Sequence, residues 1–178
     1  SITALRGKLK VYPTLIEEEL TARGRKVRVV NAGIGGHNTE QGQTRFERDV
    51  LAHKPDVVIV FFGGNDAAVD VWKTPPAPKP RVDRERYEAN LREFCRRLKA
   101  RGAKAFLVAP SPFRWTPKLK EMYGRPPYRP DDPDGFNILL AEYAETVRKV
   151  AREEGAALAD AYAAFQAYGR EPGKSVDG

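Results

Sequence analysis

Cysteine is almost absent from this chain. Cys95 stands alone among 178 residues, so no internal disulfide is available and no cysteine-based metal framework can be built. Its place beside Phe94 in a helical pattern predicts a buried structural thiol. Long apolar runs are missing too: none approaches the roughly 20 residues that a bilayer-spanning helix needs, and no signal-peptide pattern opens the chain. Internal repeats are absent, and no second domain is expected.

What is present fits an ordinary globular domain. The chain is 41% apolar and 31% charged, and 178 residues bury a proper core without covalent staples. The formal net charge of +7 raises the question of nucleic acid. The basic residues, however, are interleaved with acids, as in Arg84-Glu85-Arg86 and Arg92-Glu93. Such patterning marks solvated helix faces, so no nucleic-acid partner is expected.

Hydrophobic periodicity divides the chain into alternating helices and short apolar strands. Pro13 opens a helix over Tyr12 to Ala22, with Leu15, Ile16 and Leu20 inward and Gly24 ending it. Lys26 to Val30 reads as a strand, and Thr39 to about Ala52 as a helix with Phe46 and Val50 on one face. Val57 to Phe62 is apolar on both faces, the mark of a central parallel strand. The four prolines between Lys73 and Pro80 make a loop. A helix follows near Arg84 to Ala100, with Tyr87, Leu91, Phe94 and Leu98 at helical spacing. Ala105 to Ala109 is a further buried strand. Ser111 to Asp134 is a long proline-rich insertion, where Phe113, Trp115 and Tyr123 either line a ligand site or pack the loop. Phe136, Leu140, Tyr143, Val147 and Val150 mark a last long helix, followed by a short strand at Ala157 to Ala159 and a helical turn through Phe165. This alternation predicts an open, mostly parallel sheet flanked by helices, whose ligand site lies beyond the carboxyl ends of the strands.

Two glycine-containing turns fall at such ends. The first is Asn31-Ala32-Gly33-Ile34-Gly35-Gly36-His37-Asn38-Thr39; the second is Gly63-Gly64-Asn65-Asp66. Glycine lets backbone N–H groups approach a ligand, and an adjacent asparagine amide adds a neutral donor. Together they suit an oxyanion hole, although tight strand-to-helix turns use glycine as well. The spacing of a dinucleotide fingerprint is not met.

The second turn resembles the G-x-N-D block of the SGNH/GDSL hydrolases, and Asn31 to Gly36 resembles the preceding block, whose last glycine supplies a backbone N–H. Ser1-Ile2-Thr3 is similar to the residues after Gly-Asp in the family's G-D-S block, and Asp177-Gly178 to the first half of D-x-x-H. His37-Asn38-Thr39 and Phe61 to Asp66 look closest to the isoamyl acetate-hydrolysing esterases. The resemblance implies a three-layer α/β/α sandwich with a mostly parallel, flavodoxin-like sheet in one SGNH hydrolase domain. It implies that both ends are cut at a catalytic block, with the strand before Gly-Asp-Ser and the triad histidine missing. Ser1 would be the nucleophile, the N–H groups of Ser1 and Gly36 with the Asn65 side chain the oxyanion donors, and Asp177 the triad aspartate or a loop residue before a later block. The substrate implied is a small-molecule carboxylic ester (a small acyl ester, an acetylated sugar or a lipid-like ester), with no metal or organic cofactor. Neither histidine stands where the family places its base: His53 is expected at the surface, and His37 lies beside the site. The 178 residues alone are therefore expected to hydrolyse esters poorly.

Two other readings remain open from sequence. Ser1 as a mature N-terminus would suit an N-terminal nucleophile hydrolase, but those rest on stacked antiparallel sheets. A non-catalytic flavodoxin-like module would cradle a phosphate at a helix N-terminus with its glycine turns.

Overall fold

The computed structural model describes residues 10–169. The chain divides into two compact units, Ser1–His37 and Asn38–Gly178. In the first, helix α1 (Tyr12–Ala22) starts with Pro13 in its first turn and closes on a bond from the Gly24 N–H to the Thr21 carbonyl. Leu15 is exposed rather than inward, while Ile16 and Leu20 are half-buried. Lys26 to Val30, expected as a strand, forms no ladder among the described residues. Apolar periodicity marks a segment suited to a sheet, but a strand exists only where a neighbour takes its N–H and C=O groups. Here the Val29 N–H donates instead to the Glu17 carboxylate at 3.1 Å.

The second unit begins with helix α2 (Thr39–Asp49), opened by a reciprocal capping box between Asn38 and Gln41. The helix ends three residues earlier than its periodicity suggests. Leu51–His53 tighten into a single 3-10 turn and Lys54 takes a left-handed conformation, which leaves His53 exposed, as expected. Strand β1 (Val57–Phe61), helix α3 (Arg84–Ala100), strand β2 (Lys104–Val108), helix α4 (Pro117–Tyr123), helix α5 (Ile138–Glu154), strand β3 (Ala157–Ala159) and helix α6 (Ala161–Tyr168) follow. The three strands pair in parallel in the order β1-β2-β3, with Val57 opposite Lys104 and Phe106 opposite Ala157.

The topology follows from connection rules. Each parallel step needs a crossover, and right-handed crossovers taken in the same direction lie on the same face of the sheet. α3 and α5 accordingly pack against each other and against β2, and α2 packs on α3. The buried face of α3 carries Tyr87, Leu91, Phe94, Cys95 and Leu98, and that of α5 carries Leu140, Tyr143, Val147 and Val150, the side chains expected from helical spacing. Phe94 stands between Phe46 of α2 and Phe62 after β1, with ring centroids 4.8 and 5.8 Å away. Gly42 makes this approach feasible, since a methyl group there would come within 2.7 Å of the Phe62 ring. Burial pushes the Cys95 thiol up to about 11, so it is an unreactive core group.

The insertion between β2 and α5 is not structureless. Thr116 caps α4 by accepting from the Leu119 N–H, and Pro117 occupies the first turn. This Thr-Pro start is a readable helix signal that loop composition concealed. The insertion folds on a second apolar cluster of Val69, Val71, Tyr123 and Tyr128, with Trp115, Phe136 and Leu139 packed against it.

The carboxyl ends of β1 and β2 meet at Gly63, which has φ +124, and a side chain there would stand 2.8 Å from the Pro110 ring and 3.1 Å from the Tyr87 hydroxyl. Conformation and space both require glycine. Gly63→Ala is expected to lower unfolding free energy by about 2–4 kcal/mol, the sum of backbone strain and overpacking, as measured by urea denaturation.

Candidate active site

The turn Gly63-Gly64-Asn65-Asp66 leaves β1 at its carboxyl end, where open α/β sheets bind ligands. Asp66 holds it in place. Its side chain is fully buried; Oδ1 accepts from the Thr39 N–H at 2.8 Å and from the Thr39 hydroxyl at 2.5 Å, and Oδ2 accepts from the Gly63 N–H at 3.1 Å. The Thr39 hydroxyl accepts in turn from Asn90 Nδ2 at 2.9 Å. One carboxyl thereby joins the turn after β1 to the start of α2 and, through Thr39, to α3. Burial pushes the Asp66 carboxyl above its usual range, against the opposing effect of the bonds from Thr39 and Gly63.

This arrangement bears on the phosphate-cradle reading. The Thr39 N–H at the start of α2 is taken by Asp66 and the Gln41 N–H by the Asn38 side chain. The protein's own acceptors thus occupy donors that an anion would need.

Asn65 is half-buried. Its Oδ1 accepts from Arg81 Nη1 at 2.7 Å. A guanidinium only donates, so this contact identifies the oxygen and leaves Nδ2 as the free arm of the amide; among the described residues nothing accepts from Nδ2. Beside Asn65, the Phe113 ring lies over Gly64, where a methyl group would sit 3.1 Å from it. Gly64, Ala67, Ala68, Phe113, Tyr128 and Phe136 line a narrow apolar recess there. Phe113 is 40% exposed, and its backbone N–H and carbonyl are both held by the Asn137 side chain, at 2.7 and 2.9 Å. Of Phe113, Trp115 and Tyr123, the last two pack the loop: Trp115 donates to the Asp132 carbonyl at 2.9 Å, and Tyr123 meets Phe136 edge-on. Asn137 gave no sequence signal; its role is visible only once the loop is folded.

The other expected residues fall elsewhere. Gly36 belongs to the first unit, with φ +86 in the left-handed region that favours glycine, and its N–H finds no acceptor among the described residues. His37 follows it, donating its backbone N–H to the Ile34 carbonyl at 3.3 Å; among the described residues no group bonds its buried Nδ1. Ser1 and Asp177 lie outside the described residues. No three His, Cys, Asp or Glu side chains cluster as a metal site among the described residues, and no helix there is long and apolar enough to cross a membrane.

The raised Asp66 carboxyl links stability to pH. The unfolded chain loses this proton near the ordinary value of about 3.9, the folded protein only at higher pH. Its stabilising contribution is therefore complete below about pH 4 and declines as pH rises through the folded value. Asp66→Ala also strands the Thr39 and Gly63 N–H groups, at about 1–3 kcal/mol each. Urea denaturation should show a loss of about 2–5 kcal/mol, with a wider gap from wild type at pH 4 than at pH 7.

Comparison with known proteins places the chain in a family. Over 88 residues, 49% of this chain, it is 39% identical to an uncharacterized lipoprotein, YqeF, of Bacillus subtilis, covering 34% of that protein. It is 28% identical over 142 residues to an acetylxylan esterase of Geobacillus stearothermophilus, covering 78% of this chain and 56% of the esterase. The chain thus spans about a third to just over half the length of these curated relatives. Its fold matches the crystal structure of a lipase/acylhydrolase from Enterococcus faecalis with a TM-score of 0.69 at 27% identity, over 100% of this chain and 81% of that one. The likeness assigns the three-layer α/β/α class expected from sequence. The model of the GDSL-like lipase/acylhydrolase family matches residues 1–178, and the chain belongs to that family.

Proposed function

We propose that this protein is a serine hydrolase that cleaves carboxylic esters through an acyl-enzyme. The observation that carries the reading is the Asn65 amide, set on a locked turn at the carboxyl edge of the sheet with its oxygen engaged and its Nδ2 open. A neutral donor in such a place suits an oxyanion that forms during acyl transfer. Family membership supports the same chemistry.

In this reading the Ser1 hydroxyl attacks the ester carbonyl and yields its proton to a histidine, with Asp177 orienting that imidazole and stabilising its charged form. The backbone N–H groups of Ser1 and Gly36 join Asn65 Nδ2 around the negative oxygen of the tetrahedral intermediate. Collapse of the intermediate expels the alcohol, protonated by the imidazolium. Water then attacks the acyl-serine with the imidazole as base, releasing the acid. The recess beside Gly64, partly covered by Phe113, suits a small apolar group next to the reacting carbonyl. Small acyl esters and acetylated sugars are the substrates we favour, in keeping with the acetylxylan esterase among the relatives.

The test is hydrolysis of p-nitrophenyl acetate by the intact gene product. Ser1→Ala should reduce the rate to background while the protein remains folded. Asn65→Ala should lower kcat by about 100- to 1,000-fold, the usual loss for one oxyanion donor. Undiminished hydrolysis by folded Ser1→Ala would reject the nucleophile and the mechanism with it.

A further inference from the structure

Arg81 lies at the far end of the proline-rich connection between β1 and α3, yet the fold returns it to the turn after β1. Its backbone N–H donates to the Ala68 carbonyl at 3.0 Å, and the next N–H, of Val82, to the Asp66 carbonyl at 3.1 Å. Its side chain then spans two acceptors. Nε and Nη2 donate to Asp70 Oδ1 at 3.0 and 2.7 Å, and Nη1 donates to Asn65 Oδ1 at 2.7 Å. Asp70 is a firm anchor: it is only 5% exposed, and its second oxygen pairs with Lys73 Nζ at 2.7 Å. Burial pushes the Asp70 carboxyl up, but the bonds from Arg81 and Lys73 outweigh it and hold the group below its usual range.

A guanidinium is a rigid plane that carries donors and no acceptor. With Nε and Nη2 fixed on Asp70, the direction of Nη1 is fixed as well, and it can meet only an oxygen. An Asn65 amide turned by 180° would set two N–H donors 2.7 Å apart. Without Arg81 the two orientations of the amide differ little; with it, one is selected.

We propose that Arg81 is a positioning residue for the oxyanion donor: it locks the Asn65 amide so that Nδ2 is always the group offered to the substrate oxygen. Its charge on Oδ1 also polarises the amide and strengthens Nδ2–H as a donor. The proposal rests on the reading of Asn65 as an oxyanion donor. It goes beyond the sequence pattern, in which Arg81 is one basic residue among many.

A double-mutant cycle on the intact gene product tests it, with p-nitrophenyl acetate kinetics and thermal melting on each variant. Arg81→Met should lower kcat by about 10- to 100-fold, part of the loss typical of a deleted oxyanion donor, with KM moving by less than about threefold. Arg81→Lys keeps a cation for Asp70 but has one nitrogen where three are used. It should melt close to wild type and still lose about tenfold or more in kcat. In an Asn65→Ala background, Arg81→Lys should cost less than about twofold further, since no amide is left to orient. Full kcat in folded Arg81→Lys, or an equal loss whether Asn65 is present or not, would overturn the proposal. Should Asn65→Ala alone retain wild-type kcat, the oxyanion reading fails and the proposal falls with it, an outcome separate from the other two.

Discussion

A buried carboxyl group ties the second unit together at the carboxyl edge of its sheet. Among the described residues, Asp66 is the one group that bonds both the turn leaving β1 and the first residue of α2, and through the Thr39 hydroxyl it reaches Asn90 on α3. Helix α2 begins with its first N–H directed at this carboxyl, which offsets part of the cost of burying it. The elements around it are placed by other forces, chiefly apolar contact, but apolar contact has no direction. The three bonds to Asp66 supply that direction, setting the height and rotation of the turn to within a hydrogen bond. Asn65, one residue before it, inherits the precision.

Charge has a different job where α3 and α5 meet solvent. Arg92 of α3 reaches Glu88 on its own helix and Glu153 and Glu154 at the end of α5, while Lys149 of α5 returns to Glu88. The interleaved acids and bases that looked like solvated faces in the sequence are therefore cross-links between neighbouring helices. Exposed pairs of this kind contribute little singly. As a network they favour one register of α3 against α5 over its neighbours, which the smooth apolar faces of these helices alone would not.

Much of this was legible in the residues because it depends on local pattern. Tyr87, Leu91, Phe94 and Leu98 announce the buried face of α3, Ala157 to Ala159 a strand, and Gly63 to Asp66 a turn at a strand's carboxyl end. Features that depend on a distant partner were not legible. Lys26 to Val30 has the composition of a strand but no ladder partner among the described residues. Helix α4 hid inside proline-rich sequence, although Thr116-Pro117 signals its start. Trp115 and Tyr123 were ambiguous until their rings were seen to pack the insertion on itself. Arg81 and Asn137 act across 16 and 24 residues of chain, spacings that no periodicity encodes.

The insertion has its own small core, and that core touches the main one sparingly. Val69, Val71, Tyr123 and Tyr128 form one cluster and the α2, α3 and α5 faces another, with Leu139 packed against both. Two cores joined at so narrow a point respond separately to sequence change. Substitutions in the aromatic cluster can reshape the wall beside Gly64 while α3, α5 and the sheet keep their packing, and the Asp66 bonds keep the turn. Within such a fold the turn at the sheet edge and the aromatic wall beside it are free to evolve at different rates.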